Sequence, residues 1–409
     1  MQSEQLFATA LGVGEPWYVR ETRFDPAART LTVVVDFRVG SRFNHPEVAG
    51  EHPVHDTQTK RYRHLSFFQH ECFLEVRVPR VKLPDGSVRL VQPSWAGKLS
   101  GFTLLFEALV LSLCREMPFA AVARLVGESW HRVAAIAERY VDLALEQADL
   151  SQVRQLAIDE TSKARGHQYV TIAADAERRA VIFVTETRES AAIERLAADL
   201  TAHGGDPLAV QAVSIDMSPA YIKAAEAHLP NAAVTFDKYH VIAHASHALD
   251  QTRRWEQKRD PTLKGLRWTL LKDRSRLNEQ HRADLDALLA NLTSKRTARA
   301  WRYREDLREI LNRKQINVVR AMLKQWCTNV MRSKVEPMKA VARMIRSHLE
   351  GIVSWARTRM TNGFLEALNG LFQAAKRKAR GYRRLSTIRT VIFLIAGKLS
   401  FRTLNPHAV

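Results

Sequence analysis

The stretch Val153-Arg154-Gln155-Leu156-Ala157-Ile158-Asp159-Glu160 decides the fold of this chain of 409 residues. Its apolar run predicts a strand that ends in two acids. Strand patterns at 169–174 and 180–185 follow, and then helix, strand, helix and strand patterns at 190–203, 210–215, 219–229 and 232–236. This order is typical of a ribonuclease H-like core, in which three antiparallel strands come first and the fourth joins in parallel beside the first.

Acids follow the strands that this topology makes neighbours. Asp159 and Asp216 each end an apolar strand, and two adjacent carboxylates repel one another unless divalent cations neutralise them. Each acid alone could be a turn former or a helix cap, and Asp216 precedes Ser218-Pro219. Asp237 also ends a strand, so it could join the site, orient His240 or cap the next helix.

A third acid lies in Thr361-Asn362-Gly363-Phe364-Leu365-Glu366, which opens a helix near the end of the chain. One face of this helix carries Glu366 and Asn369, with Asn362 one turn earlier. The simple alternative is a solvated surface helix whose basic end is favoured by the helix dipole. The two strand-end aspartates favour a metal-binding role for Glu366 instead.

The segment between the second and third acids is long and basic. Asp216 and Glu366 are 150 positions apart, and residues 241–349 read as almost wholly helical. We therefore expect an inserted helical domain. Its tryptophans alternate with arginines, as in Arg267-Trp268, a pairing that can stack on unpaired bases, although aromatics at helical spacing more often belong to a core.

Charge points to the partner of the protein. The chain has 62 Lys and Arg against 43 Asp and Glu, a formal charge of +19 and a pI near 10.1. Such a balance favours a polyanion, although a merely basic protein is the alternative. We find no signal-peptide pattern and no apolar run of 18 residues, and three scattered cysteines do not form a disulfide framework. We therefore expect a cytoplasmic protein that binds nucleic acid and no membrane.

Helix signals at 102–140 predict a helix-turn-helix. Pro118 suits the first turn of a helix at 119–126, Gly127 ends that helix, and a third helix opens at 130. Ser129, His131 and Arg132 would then begin the recognition helix, where base edges are met. The alternative is a generic three-helix bundle.

The N-terminal part reads as β-rich. Strand patterns occupy 17–37 and 72–78, and we interpret the segment between them as a polar loop rich in histidine. Zinc sites usually use cysteine pairs, which are absent here, so ordinary loop histidines are the favoured interpretation. The histidines are His45, His52, His55, His64 and His70.

These patterns divide the chain into α/β and all-α parts. We predict a β-rich domain at 1–98, a helix-turn-helix at 99–148, the first part of the core at 149–245, a helical insertion at 246–352, and the last part of the core with basic helices at 353–409.

Four stretches around the acids resemble a known family. They are 157–160, 214–218, 236–241 and 361–366, and Val54-His55-Asp56-Thr57 matches as well. Together they are similar to DDE transposases of bacterial insertion sequences, in the ISL-three group. The resemblance covers nearly the whole chain and implies a zinc-ribbon-like N-terminus. His45, Val48, His52 and Leu83 stand where family members carry cysteines, so we expect no stoichiometric zinc.

The resemblance also implies a reaction, the metal-dependent cleavage of DNA at terminal inverted repeats and strand transfer to a target, and the residues that carry it out. Asp159, Asp216 and Glu366 would hold two Mg²⁺ or Mn²⁺ ions, with Asp237, His240, Asn362 and Asn369 in secondary roles. The partners would be double-stranded DNA, as transposon ends and target, and further copies of the chain in a dimer or larger assembly near the bacterial nucleoid. Two alternatives stay open, a DNA-binding regulator that does not cut and a purely hydrolytic nuclease. The residues expected to bind DNA are Ser129, His131, Arg132, Lys376, Arg377, Lys378, Arg380, Arg383 and Arg384.

Overall fold

The computed structural model describes residues 3–99, 101–164, 168–186, 190–290, 295–358 and 363–408. Their contacts divide the chain into two compact units. The first unit contains Met1–Ala148 and Leu371–Val409, and the second contains Asp149–Gly370. In this division residues 371–409 are grouped with the N-terminal part of the chain. The finer domain boundaries remain predictions.

The first unit begins with a helix and a sheet. Helix α1 spans Ser3–Leu11, and the strands pair in the order β1-β2-β5-β4-β3, with β6 against β5. Inward-facing β-branched and leucine side chains such as Val33, Val76 and Leu74 form the core of this sheet. The strands are β1 Trp17–Asp25, β2 Thr30–Phe37, β3 Arg42–His45, β4 Val48–Phe67, β5 His70–Lys82 and β6 Val88–Leu90.

The interpretation of 45–70 as a loop was wrong. Most of it is β4, a strand of 20 residues that pairs with β5 from Val54 to Phe67. Most of its polar side chains face solvent while its backbone is paired by the neighbouring strand, so composition alone suggested a loop. His52 is buried, and His64 hydrogen-bonds Thr103 between Nδ1 and Oγ1 at 2.9 Å.

Of the next three helices, the second has the predicted bounds and the third begins at the predicted residue, whereas the first begins at Leu104 and the third continues to Glu146, past the predicted 140. Gly127 follows the second of them with φ at 71°, and the Ser129 hydroxyl caps the third by accepting a bond from the Arg132 amide at 3.3 Å. The helices are α2 Leu104–Glu116, α3 Phe119–Val126 and α4 Trp130–Glu146.

The C-terminal segment packs on these helices within the first unit. The Thr387 hydroxyl donates to Glu138 at 3.0 Å, and Arg389 pairs with Asp142 at 2.5 Å. Asn405 is fully buried and donates to the Leu104 carbonyl at 2.8 Å. The helix that carries Thr387 and Arg389 is Leu385–Ala396, which is α15 in chain order.

The second unit holds a sheet with helices packed around it. Its strand order is β11-β10-β7-β8-β9, with β7, β8 and β9 antiparallel and β10 parallel to both β7 and β11. The predicted order of elements and the predicted pairing of the fourth strand beside the first are confirmed. The elements are β7 Gln155–Ala164, β8 Gln168–Asp175, β9 Ala180–Thr185, α5 Ser190–Ala202, β10 Ala212–Ile215, α6 Pro219–His228 and β11 Ala233–Phe236.

The segment after β11 is helical, as predicted. Trp301, Trp326 and Trp355 are buried there, whereas Trp255 and Trp268 are 42% and 62% exposed. Among the described residues, short 3₁₀ turns lie before this segment at Pro207–Ala209 and within it at Pro261–Leu263 and Arg274–Arg276. The helices are α7 Lys238–Gln257, α8 Arg267–Leu271, α9 Glu279–Leu289, α10 Arg296–Asn312, α11 Ile316–Met331, α12 Glu336–Ser347, α13 Leu349–Thr358 and α14 Gly363–Lys378.

Among the described residues, no helix combines the length and the apolar character that crossing a lipid bilayer requires.

Candidate active site

Asp159 lies inside a strand and does not end it, contrary to the prediction. Strand β7 continues to Ala164 because it pairs with β8, where Asp159 faces Ile172. Its pairing with β10 stops earlier, at Ala157 opposite Ser214. Asp159 therefore lies just past the point where the β7–β10 ladder ends, which leaves its carboxylate beside the end of β10.

Asp159, Asp216 and Asp237 lie at one level of the sheet. Each comes two positions after the row Ala157, Ser214 and Thr235, which the strand pairing sets in register. The intervening row of Ile158, Ile215 and Phe236 packs in the hydrophobic core. Because side chains alternate between the two faces and neighbouring strands lie about 4.8 Å apart, the three aspartates follow one edge of the sheet on one side.

Asp237 combines two of its predicted roles. It is fully buried, and its Oδ1 accepts a hydrogen bond from the Tyr239 amide at 2.9 Å, so it caps α7. Its charge also raises the pKa of Glu366, so it lies close to the third acid. Asp237 therefore both caps α7 and belongs to the acid cluster.

Glu366 and Asn369 project from α14 toward this edge. Glu366 is exposed, yet partial desolvation is the main reason that its pKa is raised, with Asp237 adding to the shift and His240 opposing it. Asn369 Nδ2 donates to Asp159 Oδ2 at 3.0 Å, which connects α14 directly to β7. Asn362, the other predicted amide, lies outside the described residues.

The acids influence one another electrostatically. The pKa of Asp159 is raised, first by burial and then by the negative charges of Asp216 and Glu366. The Glu160 amide and His240 act in the opposite direction. The structure thus brings the three predicted acids, Asp237 and His240 into one cluster within the second unit.

Two buried polar atoms at this cluster have no hydrogen-bond partner among the described residues. They are His240 Nε2 and Asn369 Oδ1. An unsatisfied buried polar atom is costly, and such atoms beside several carboxylates indicate that a ligand, an ion or water completes the site.

In the described part of the chain, no three His, Cys, Asp or Glu side chains converge closely enough to form a ready metal site. Each aspartate instead accepts a backbone N–H: Asp159 from Glu160 at 2.8 Å, Asp216 from Met217 at 2.6 Å, and Asp237 from Tyr239 at 2.9 Å. The donor chemistry nevertheless fits a hard divalent cation, since the cluster offers carboxylate oxygens on adjacent elements and the unsatisfied Asn369 carbonyl.

Sequence reasoning missed the partner of the neighbouring acid. Tyr221 of α6 donates its hydroxyl to Glu160 Oε1 at 2.9 Å and hydrogen-bonds Thr171 at 3.1 Å. Strand pleating sends Glu160 and Asp159 to opposite faces, so only Asp159 joins the cluster. The alternation of β7 was the available signal, and the early strand end assumed for 153–158 hid it.

The three predicted recognition residues lie in the first turn of α4 or cap it. His131 is exposed and its ring lies 3.8 Å from that of Trp130. Arg132 pairs with Glu128 at 2.8 Å and its guanidinium lies 4.0 Å from the Phe102 ring centroid. Ser129 is chiefly a helix cap, whereas His131 and Arg132 present polar groups to solvent.

The positive charge is concentrated in two segments. Residues 1–148 balance, with 17 cationic and 17 acidic side chains, whereas 246–352 carry 25 against 12. Residues 371–409 have nine lysines and arginines and no acid. The predicted DNA-binding tract belongs to this last segment: Lys376, Arg377 and Lys378 end α14, Arg380 adopts a positive φ of 60°, and Arg383 and Arg384 precede α15.

Comparison with known proteins identifies the family. A family model described as "Transposase" matches residues 156–392, which is more than half of the chain. A second model, described as "Helix-turn-helix domain of transposase family ISL3", matches residues 91–141. The chain belongs to the ISL3 family of transposases. The predicted family and the predicted helix-turn-helix are both confirmed.

Curated transposases of two different insertion sequence elements support this assignment to the ISL3 family. One is the transposase for insertion sequence element IS1001 of Bordetella parapertussis, 26% identical over 341 residues, 81% of this chain and 82% of the relative. The other is the transposase for insertion sequence element IS1557 of Mycobacterium tuberculosis, 26% identical over 357 residues, 79% of this chain and 78% of the relative. The ISL3 transposase described here thus combines an insertion-sequence transposase domain with a helix-turn-helix.

Proposed function

We propose that this ISL3 transposase cleaves DNA at the ends of its insertion sequence and joins those ends to a target. One observation carries the proposal: Asp159, Asp216 and Asp237 lie on one row of the sheet, and α14 brings Glu366 beside them. The strand order β11-β10-β7-β8-β9 supports a ribonuclease H-like core for this unit. The helices from 246 to 352 would be the insertion in that core.

The residues suited to hold Mg²⁺ or Mn²⁺ are Asp159, Asp216 and Glu366. When bound, a pair of such ions activates the attacking oxygen and stabilises the leaving oxygen of a phosphodiester. Binding would also remove the mutual repulsion of these carboxylates, which contributes to the raised pKa of Asp159.

The remaining residues of the cluster hold the acids in place. Asn369 donates to Asp159 and fixes the rotamer of that carboxylate. Asp237 fixes the start of α7 and so the position of His240, three residues later. The unsatisfied His240 Nε2 is suited to contact the DNA phosphate or an ordered water at the reacting centre.

DNA recognition would be divided between two parts of the first unit. The start of α4, with Ser129, His131 and Arg132, would read the terminal inverted repeats. The cations at 376–384 would contact phosphates without reading sequence. Because two ends must be brought together, a dimer or larger assembly on DNA is part of the proposal.

The test uses Glu366→Gln, which keeps the shape of the side chain and removes its charge. With terminal-repeat DNA and Mg²⁺, we expect cleavage to fall to background while DNA affinity is unchanged. The matched control is Glu177→Gln, an exposed acid of the same unit in the β8–β9 turn, which should cleave normally.

Retained cleavage by Glu366→Gln would contradict the metal role of Glu366. If the unmodified protein binds the repeats and never cuts them, the chain is a DNA-binding regulator. If it cuts but fails to join pre-cleaved ends to a target, it is a hydrolytic nuclease. A strand-transfer assay with pre-cleaved ends distinguishes a transposase, which joins the ends to a target, from a nuclease, which only cuts.

The N-terminal sheet carries a separate proposal. We propose that residues 1–98 correspond to a zinc-ribbon-like domain that has lost its thiolate ligands, because Val48 and Leu83 offer no metal donor at two of the expected positions. Elemental analysis of purified protein should find no stoichiometric zinc. One zinc ion per chain would contradict this proposal.

A further inference from the structure

We infer that the turn between β4 and β5 is a second DNA-contact element, which places Phe68 against the bases of the duplex beside the site read by α4. This inference rests on the proposed recognition of terminal repeats by the helix-turn-helix, and it adds a contact from outside that motif. It is carried by the backbone of the turn, the exposure of Phe68 and the position of the hairpin.

The turn adopts a conformation that its residues do not favour. Phe67 pairs with His70, so the loop consists of Phe68 and Gln69, with φ of 45° and 65°. Two-residue hairpin loops with positive φ at both positions strongly favour asparagine, aspartate and glycine. A bulky aromatic side chain in this region is strained, and such strain often marks a functional position.

Phe68 projects from a supported base. Its side chain is 82% exposed, the second highest value among the exposed large hydrophobic side chains of the described residues. The Phe67 ring packs edge-on to it at 4.5 Å and also packs against Phe7 at 5.5 Å. His70 Nδ1 bonds the Phe68 carbonyl at 2.9 Å, and its ring lies 4.8 Å from that of Phe24. The aromatic tip is therefore held rather than free to fold back.

The hairpin tip lies next to the helix-turn-helix within the first unit. Gly127, in the turn before α4, approaches Glu71 so closely that a Cβ there would be 2.7 Å from Oε1. Arg63 of β4 donates to the Val126 carbonyl at 3.4 Å. Glu71 is three positions after Phe68, and Trp130 is three after Gly127, so the tip and the start of α4 lie at the same end of the unit.

The groups around the tip favour duplex DNA as the occupant. The β1–β2 turn ends beside it, since the Arg29 carbonyl accepts a bond from the Glu71 amide at 3.0 Å, and the Arg29 side chain is exposed. Arg61, which pairs with Glu75 further along the hairpin, is exposed over the Phe73 ring at 3.7 Å, and the partly exposed Glu71 forms an ion pair with the buried Arg63. An apolar wedge beside the start of α4, with the exposed Arg29 on the neighbouring turn, suits a minor-groove base step.

The test compares two variants of the same turn. Phe68→Gly removes the ring and relieves the positive φ, and Gln69→Gly relieves the positive φ at the next residue and keeps the ring. Thermal unfolding should occur at an equal or higher temperature in both. With a duplex that carries the element's terminal repeat and its flanking base pairs, Phe68→Gly should bind about tenfold more weakly and Gln69→Gly normally.

A 2-aminopurine scan of the flanking base pairs locates the contact. Wild type and Gln69→Gly should change the fluorescence at one step, and Phe68→Gly should not. Unchanged affinity in Phe68→Gly would overturn the inference, and so would an equal loss in both variants. Loss of self-association without DNA in Phe68→Gly, with normal affinity for the duplex, would identify the tip as a contact between copies. The readout is binding, so it is independent of whether Glu366 supports cleavage.

Discussion

His64 connects the N-terminal sheet to the helix-turn-helix through a single neutral side chain. It bonds the hydroxyl of Thr103, the residue that also caps α2 by accepting from the Phe106 amide at 3.3 Å. Burial is the main cause of the lowered pKa of His64, about 4 against a usual 6.5, and the charge of Arg63 adds to it. The folded protein therefore resists protonation of His64, whereas the unfolded chain accepts it readily.

This pKa difference predicts a pH-dependent stability. A base with a lowered pKa in the folded state contributes stability above pH 6.5 that is lost as the pH falls toward 4. Between pH 7 and pH 5 we expect the free energy of unfolding to fall by about 2 kcal/mol through His64. Urea denaturation at both pH values should show a smaller fall in His64→Gln.

The control for this experiment is His131→Gln, which replaces an exposed histidine of the same unit. It should keep the pH dependence of the unmodified protein. A His64→Gln variant with the full pH dependence would show that other groups cause the effect.

Helix α13 packs against β11, the strand that leads directly to Asp237. Gly351 lies so close to Phe236 that a Cβ there would be 2.4 Å from the ring. Phe236 directly precedes Asp237, so a displaced ring would also move that carboxylate. The close approach explains why this helical position holds a glycine despite its low helix propensity.

Gly351→Ala should therefore lower the free energy of unfolding by about 1–3 kcal/mol through overpacking, and it should reduce cleavage. Gly370→Ala is the matched control, because a Cβ at Gly370 in α14 meets no atom within 4 Å. It should stabilise the protein by about 0.5–1 kcal/mol. Equal effects of the two substitutions, measured by thermal unfolding, would contradict the role assigned to the Phe236 contact.

Local signals predicted some elements well and others poorly. Pro118, Gly127 and Ser129 set the ends of α3 and α4 correctly, since caps and glycine stops act within one turn of the chain. Strand β4 was missed, because its polar residues are stabilised by pairing with β5 and not by a local preference.

Charge across the molecule predicts where DNA affinity originates. The balanced residues 1–148 contrast with the nine cations of 371–409. Replacing Arg377 and Lys378 by glutamine should weaken binding to all DNA sequences alike and reduce the slope of log affinity against log salt by about 2.

The control for this prediction replaces Arg38 and Arg89 by glutamine. In the N-terminal part of the chain, Arg38 pairs with Glu15 and Arg89 pairs with Glu47. It changes the net charge by the same amount and should leave the slope unchanged. Equal slopes in the two double variants, measured by fluorescence anisotropy over a salt series, would show that net charge alone governs affinity.

The order of strands and helices from 155 to 236 and the helix-turn-helix were readable from the sequence. These features depend on periodicity, caps and strand ends, which neighbouring residues along the chain determine. Tertiary structure alone decided the long β4 strand, the continuation of β7 past Asp159, the bond between Asn369 and Asp159, and the packing of 385–408 on the helix-turn-helix. Each of these depends on a partner distant in the sequence, and the pattern of a single segment carries no information about the register or identity of such a partner.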